Sequence, residues 1–361
     1  MKENAIVLTS GLLDKDFSKT SHGLIRGTER FNLLGIIDHV HTGRDAGEVL
    51  DGIHRGIRVY ETIESFFEVS NQVPKYLVIG VAFPGGGLPE ECRGVIIEAM
   101  KRGVSIVSGL HERLSDDEEF SAVAAQYNVE LLDIRKSRPA KDLHFWNGEI
   151  YEVDIPKVAV LGTDCMIGKR TTCRFILEGC REAGIKAEMI FTGQTGWLQG
   201  NKYGFILDST LNDFISGEIE RAIVDCYRNE APDLILVEGQ SSLQNPYGPC
   251  GSEFIISGNI KGVVLQHAPG RKYYKTKAPI GFEIAPIESE VALINSLGAE
   301  VLAVTLSELE ATDTEMVAHQ KEIAEKLGIP VIRPLVDGVE ELTSIVMDYQ
   351  KRAGTKEQLS A

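Results

Sequence analysis

The run Leu161-Gly162-Thr163-Asp164-Cys165-Met166-Ile167-Gly168-Lys169-Arg170-Thr171 constrains this chain more than any other stretch. An apolar strand, Lys157-Val158-Ala159-Val160-Leu161, stands directly before it, bounded by Pro156 and Gly162. Apolar positions at helical spacing follow from Thr172 to Ala183. Strand, glycine turn and lysine-led helix is the order of a phosphate-binding loop of the Walker A kind. Backbone amides of such a turn converge on one concavity and favour anionic oxygens, while the ammonium neutralises the phosphates it reaches. Gly162, Thr163, Gly168, Lys169, Arg170, Thr171 and Thr172 are therefore the candidate cofactor-binding residues.

The loop departs twice from G-x-x-x-x-G-K-[ST]. Five residues separate Gly162 from Gly168, and Arg170 stands where a magnesium-binding hydroxyl is usual, with Thr171 as a displaced substitute. The longer spacing and the Gly-Thr-Asp start resemble the loop of dethiobiotin synthetase and related amidoligases. A second segment, Ala231 to Gly239, reads as an apolar strand ending in Glu238. A carboxylate at the end of a strand beside a P-loop can hold magnesium or its water, so Glu238 is the candidate metal residue if magnesium is used.

The chain has 361 residues, 43% hydrophobic and 25% charged, enough for two domains that each bury a core. Its formal charge of −16 argues against nucleic-acid or anionic-membrane partners, so the basic spots Lys169-Arg170 and Arg271-Lys272 stand out. Six cysteines show no C-x-x-C pair and no metal-type spacing with histidine, which predicts free thiols in a reducing compartment. No segment near the start pairs basic residues with a long apolar core, and no apolar run approaches the ~18 residues of a membrane span. A soluble, cytoplasmic protein is expected.

Short strands alternate with helices throughout, which predicts α/β architecture: two doubly wound, mostly parallel sheets. Strands are expected at 5–8, 33–37, 76–81, 103–107 and 129–133, with helices at 90–102 and 116–127. The polar, proline-containing stretch from Arg135 to Pro156 suggests a boundary, giving a Rossmann-like domain over 1–150 and a P-loop NTPase-like domain over 151–361. In the second half, strands are expected at 187–191, 231–239, 262–267, 300–305 and 330–332, with helices near 212–229, 288–297, 315–327 and 339–351. The glycine loop Ala82 to Pro89 could cradle an anion or merely turn the chain. In Asp38-His39-Val40-His41 the two histidines share a side of a strand, but no third metal ligand accompanies them, and strand-end histidines are the plainer reading.

In doubly wound sheets ligands gather at the carboxyl ends of strands. The segments Thr192 to Trp197, Gly239 to Ser242 and Gln266 to Lys272 should meet Lys169 there. Gln194 and Thr195 suit recognition of a carboxylate or amide, and Arg271 could take a carboxylate through two parallel bonds. His267, at a strand end, is a candidate proton carrier. Asp164 is another catalytic candidate, able either to orient Lys169 or to face a substrate amine. Cys165 reads as a small packed thiol.

Beyond the loop, the whole chain resembles a bacterial and archaeal family once classed only as a domain of unknown function. The residues that carry the resemblance are Gly43-Arg44-Asp45-Ala46-Gly47, Gly80 to Gly87, Val107 to Glu112, Gly162-Thr163-Asp164 through Thr172, Glu238 to Leu243, and His267 to Arg271. The resemblance implies a Rossmann-like N-terminal and a P-loop C-terminal domain, and D-glutamate N-acetyltransferase activity using acetyl-CoA. CoA carries a pyrophosphate and a ribose phosphate, which a glycine loop with Lys169 and Arg170 could hold as readily as ATP. The alternatives are an ATP- and magnesium-dependent ligase or small-molecule kinase, and a nucleotide-binding regulator without turnover. A small D-amino acid is the expected partner, and a homo-oligomer the expected assembly.

Overall fold

A computed structural model describes residues 2–83, 86–274 and 281–358. Among the described residues, thirteen strands form two sheets, and every pairing between those strands is parallel. The first comprises β1 (Glu3–Leu8), β2 (Phe31–Ile37), β3 (Val59–Tyr60), β4 (Tyr76–Ile79), β5 (Ser105–Ser108) and β6 (Leu131–Asp133), in the order 3-2-1-4-5-6. The second comprises β7 (Lys157–Gly162), β8 (Ala187–Phe191), β9 (Tyr203–Gly204), β10 (Leu234–Glu238), β11 (Gly262–His267), β12 (Glu300–Leu306) and β13 (Val331–Ile332), in the order 13-12-11-7-10-8-9.

Both faces of each sheet are covered, as the near-continuous apolar runs of the strands require. On β1, Ile6 and Leu8 join one core with Leu77, Ile96 and Phe120, while Ala5 and Val7 join the opposite core with Leu24 and Val78. On β7, Ala159 and Leu161 face one core, and Val158 and Val160 the other. This is the two-residue period of a strand read out as packing. Among the described residues, no helix is long and apolar enough to cross a membrane.

The chain divides into two compact units, and the division differs from the boundary at 150 that the sequence suggests. One unit holds the chain up to Ser137 together with Gln194–Asn201; the other holds Arg138–Gly193 and the chain from Lys202 onward. Residues 138–150 go with the second unit because buried carboxylates on the helix Ile215–Glu230 capture them. Glu220 accepts the amides of Asn147 (2.8 Å), Gly148 (2.8 Å) and Ile150 (3.1 Å). Glu218 accepts the amide of His144 at 3.0 Å and pairs with Arg138 and Arg221.

The short helix Gln194–Leu198 is built into the first unit. Leu198 enters that unit's core, Gln199 donates to the carbonyls of Gly23 and Gly27, and the Arg30 guanidinium lies 3.8 Å over the Trp197 ring. In the loop 82–89, Pro84 and Gly85 lie outside the described residues. Gly86 offers its carbonyl to the amides of His111 and Glu112, and the Glu112 carboxylate takes the Leu88 amide at 2.7 Å, tying this loop to the segment after β5.

Candidate functional site

The carboxyl edge of the second sheet is built around β7, flanked by β10 and β11. From Gly162 the chain turns through Thr163–Gly168 and enters the helix Lys169–Glu182. Gly168 makes that entry at φ +104°, a left-handed conformation that a side chain would strain. No side chain caps the first turn of the helix and no acid lies in it, so its amide end is left to attract an anion.

Lys169 is buried, with its stem over Gly162: a β-carbon at Gly162 would come within 2.9 Å of Lys169 Cδ. Its ammonium donates to the carbonyls of Asp164 (2.5 Å) and Ser241 (2.9 Å). Burial holds its pKa below the ordinary lysine value, opposed by the nearby Cys165 thiol and the Asp164 carboxylate. A phosphate would supply the direct charge partner that these carbonyls only approximate. Arg170 and Thr171 are half-buried in the first helical turn.

Other candidates are engaged in protein contacts. Thr172 turns toward the sheet and donates to Gln266 Oε1 at 2.6 Å, which also accepts from Thr305 at 2.7 Å, so its hydroxyl is committed away from the phosphate position. Asp164, fully buried, pairs with Arg271 Nη1 at 2.9 Å, accepts the Cys165 amide at 2.7 Å and takes Asn245 Nδ2 at 3.3 Å. It braces the loop and has little capacity left to receive a substrate proton.

Arg271 also donates to the Cys165 carbonyl and to Glu310, which uses up the fork expected to take a substrate carboxylate. Only Nη2 stays buried without a hydrogen-bond partner, one donor available to a ligand oxygen. His267 Nδ1 sits 2.8 Å from Thr163 Oγ1. Burial, aided by the charge of His319, pushes the His267 pKa down to about 4, so the ring is neutral near pH 7 and a weak proton acceptor.

Glu238 ends β10 opposite Val160 of β7, at the position expected for a cation-binding carboxylate. It is buried and receives the Thr192 amide at 3.3 Å, while Thr192 Oγ1 donates to its carbonyl at 2.8 Å. Among the described residues, no group of three or more His, Cys, Asp or Glu could hold a metal ion. Magnesium at Glu238 would therefore lean on phosphate oxygens and water. Gln194 and Thr195 belong to the first unit, where Thr195 Oγ1 lies 3.3 Å from Thr20 Oγ1 and Gln194 packs beside Gly109. All six cysteines are free.

The sequence brings Gly239 to Ser242 to this edge, where Ser241 meets Lys169, but it passed over Gln244, Asn245 and Glu290. The Ser241 carbonyl holds Lys169 and Asn245 holds Asp164, while Leu243 N and Gln244 Nε2 each donate to Glu290 at 2.8 Å. Burial raises the Glu290 pKa against those hydrogen bonds. The cluster of amide side chains after Glu238 was the available signal; Glu290 sits in a helix with no motif around it.

Residues 144–343 match the family described as "Domain of unknown function (DUF1611_C) P-loop domain", and residues 39–137 match "Domain of unknown function (DUF1611_N) Rossmann-like domain". The chain belongs to the DUF1611 family. A D-glutamate N-acetyltransferase of Pseudoalteromonas sp is 30% identical over 287 residues, 78% of this chain and 83% of that protein. One from Tritonibacter scottomollicae is 29% identical over 276 residues, 74% of this chain and 80% of its own. The crystal structure of a DUF1611 family protein from Anabaena variabilis superposes with a TM-score of 0.85 at 25% identity, covering 96% of this chain and all of that one.

Proposed function

We propose that this chain is an acetyl-CoA-dependent N-acetyltransferase acting on a small amino acid, D-glutamate first among them, with the P-loop holding CoA phosphates. The observation that carries the reading is the extended similarity to two proteins named D-glutamate N-acetyltransferase, which takes in most of both chains. The site is compatible with it. The Lys169 ammonium is buried and hydrogen-bonds to the Asp164 and Ser241 carbonyls, Arg271 Nη2 lacks a hydrogen-bond partner, and the first helical turn has no side-chain cap. These are the groups that would take pyrophosphate or ribose-phosphate oxygens, with Arg170 in place of a cation-binding hydroxyl.

Transfer also requires the amine to lose its proton and to meet the thioester carbonyl in near-attack geometry. Asp164 and His267 are poorly suited to take that proton, for the reasons of pairing and burial given above. The direct test is CoA release from acetyl-CoA on adding D-glutamate, repeated in excess chelator and with Lys169→Ala. The expected result is release that survives chelation. The variant should raise the KM for acetyl-CoA by about 10- to 100-fold, the worth of a charge-assisted hydrogen bond. The second reading, an ATP- and magnesium-dependent ligase or kinase, draws on Glu238 at the end of β10. Activity that demands ATP and vanishes with chelator would establish it instead.

A further inference from the structure

The carboxyl edge of the first sheet carries polar groups that phosphate binding does not use. Strand order reverses there between β1 and β4, the switch point at which open α/β sheets take ligands. The helix Lys19–Arg26 is seated on the exit of β4, where Ser21 Oγ donates to the Gly80 carbonyl at 2.9 Å. Residues 194–201 belong to this same unit, although they lie far along the chain. Their far end is fixed by protein contacts: Thr28 Oγ1 donates to the Leu198 carbonyl at 3.0 Å, and Gln199 holds the carbonyls of Gly23 and Gly27. Their near end, Gln194 and Thr195, has polar capacity to spare.

Gln194 is only 6% exposed, yet among the described residues its carboxamide makes no hydrogen bond. Burying an amide without a partner is costly, so native structures nearly always supply one. The chain also makes room for this side chain. A β-carbon on Gly109, directly after β5, would lie 3.1 Å from Gln194 Cγ and 3.6 Å from its Nε2. Gly109 is not among the glycines with positive φ, so close approach is what its missing side chain serves. Arg135 donates from Nη1 to the Gly109 carbonyl, which brings a half-buried guanidinium to the same residue. One position on from Gln194, the buried Thr195 Oγ1 lies 3.3 Å from the buried Thr20 Oγ1. Two hydroxyls carry two protons and their mutual bond uses one, which leaves the other to donate.

These groups have one ligand chemistry in common. Amide and hydroxyl donors beside a guanidinium suit a carboxylate, while the carboxamide oxygen suits an ammonium. An amino acid presents both on neighbouring atoms. A dinucleotide does not fit the same edge. The acid after the second strand normally accepts from a ribose diol, whereas the two oxygens of Asp38 already accept the Thr9 hydroxyl and the amides of Leu13, Val40 and His41. The α-helix after β1 starts only at Lys19, so no glycine turn leads straight from strand to helix.

We propose that Gln194, Thr195, Thr20 and Arg135 form, within the first unit, the subsite for the acyl acceptor, an amino acid recognised through its carboxylate and ammonium groups. The identity of that ligand as the acceptor rests on the acetyltransferase reading. Gln194 Nε2 and the spare hydroxyl donate to the carboxylate, and Arg135 neutralises its charge. Gln194 Oε1 accepts from the ammonium.

The test is calorimetric titration of the full-length protein with D-glutamate, with and without CoA present. Gln194→Ala should weaken binding by about 10- to 100-fold, the worth of a hydrogen bond to a charged group. Gln194→Glu keeps the size and shape of the side chain but sets a carboxylate against a carboxylate, and it should weaken binding at least as far. Its melting midpoint without ligand should match that of the unsubstituted protein, which separates lost recognition from lost folding. In turnover, both variants should raise the KM for D-glutamate and leave that for acetyl-CoA unchanged. No binding of D-glutamate to the unsubstituted protein, or binding by Gln194→Glu within about twofold of it, overturns the proposal. Gln194-dependent binding without CoA release from acetyl-CoA would end the acetyltransferase reading and leave the amino-acid subsite standing. CoA release with a KM for D-glutamate indifferent to Gln194 would do the reverse.

Discussion

Asp164 and Arg271 illustrate how a residue's chemistry is decided by its partner. Both were legible as reactive: one a carboxylate inside a phosphate loop, the other a cation in an acidic chain. Their contact at 2.9 Å, with side chains all but fully buried, converts them into a brace. Removing one member of a buried pair leaves an uncompensated charge, which typically costs about 3–5 kcal/mol. Arg271→Ala should therefore lower unfolding stability in urea by roughly that amount. Arg271→Lys should recover only part of it, since an ammonium cannot reproduce bonds to Asp164, Cys165 and Glu310 together. Unchanged urea midpoints would show that the brace is dispensable.

Among elements, the long periodic ones were plain in the sequence, and of the shortest strands β13 was expected while β3 and β9 were not. Helices expected at 315–327 and 90–102 form at Asp313–Leu327 and Glu90–Lys101. The former is bounded by a Thr312–Glu315 capping box and by Gly328 in the left-handed region. The two-residue strands β3 and β9 have no period to detect and exist only because neighbouring strands offer open edges. The proposed binding of acetyl-CoA depends on the P-loop, and its entry at Gly168 gives a clean test. A β-carbon there meets nothing closer than 3.9 Å, so space is not the obstacle; the φ of +104° is. Gly168→Ala should cost about 1–2 kcal/mol and weaken acetyl-CoA binding through a displaced Lys169, measured by thermal denaturation with and without ligand. A variant that binds as before would mean the loop tolerates another path.

For the molecule as a whole, the point along the chain where the second unit begins is set by carboxylates that no motif announces. Glu218 and Glu220 hold 138–150 onto the second unit, moving the division to Ser137. Burial would raise the Glu218 pKa, but His144, Arg221 and Arg138 outweigh it and hold it below the ordinary glutamate value. A group depressed in the folded state stabilises fully above its unfolded pKa of about 4.3, and the contribution is lost as pH falls through the folded value. Glu218→Gln should therefore melt well below the unsubstituted protein at pH 7, and the gap should narrow on acidification below about pH 4. A gap constant from pH 7 to 3 would deny Glu218 its charge-dependent role.

Local order along the chain was enough to dictate two parallel α/β sheets, the phosphate loop with Lys169, and Glu238 at a strand end. Strand burial, helix spacing and glycine turns are short-range properties, written within about 20 residues. Folding then settled which polar groups remain available. Asp164 meets a guanidinium 107 positions away, Thr172 meets Gln266 94 positions away, and Gln194 and Thr195 join the first unit. His41 instead meets a carboxylate only three positions earlier, one that Thr9 and Leu13 also hold. Pairing and desolvation are contacts in space, and a linear string of residues does not contain them.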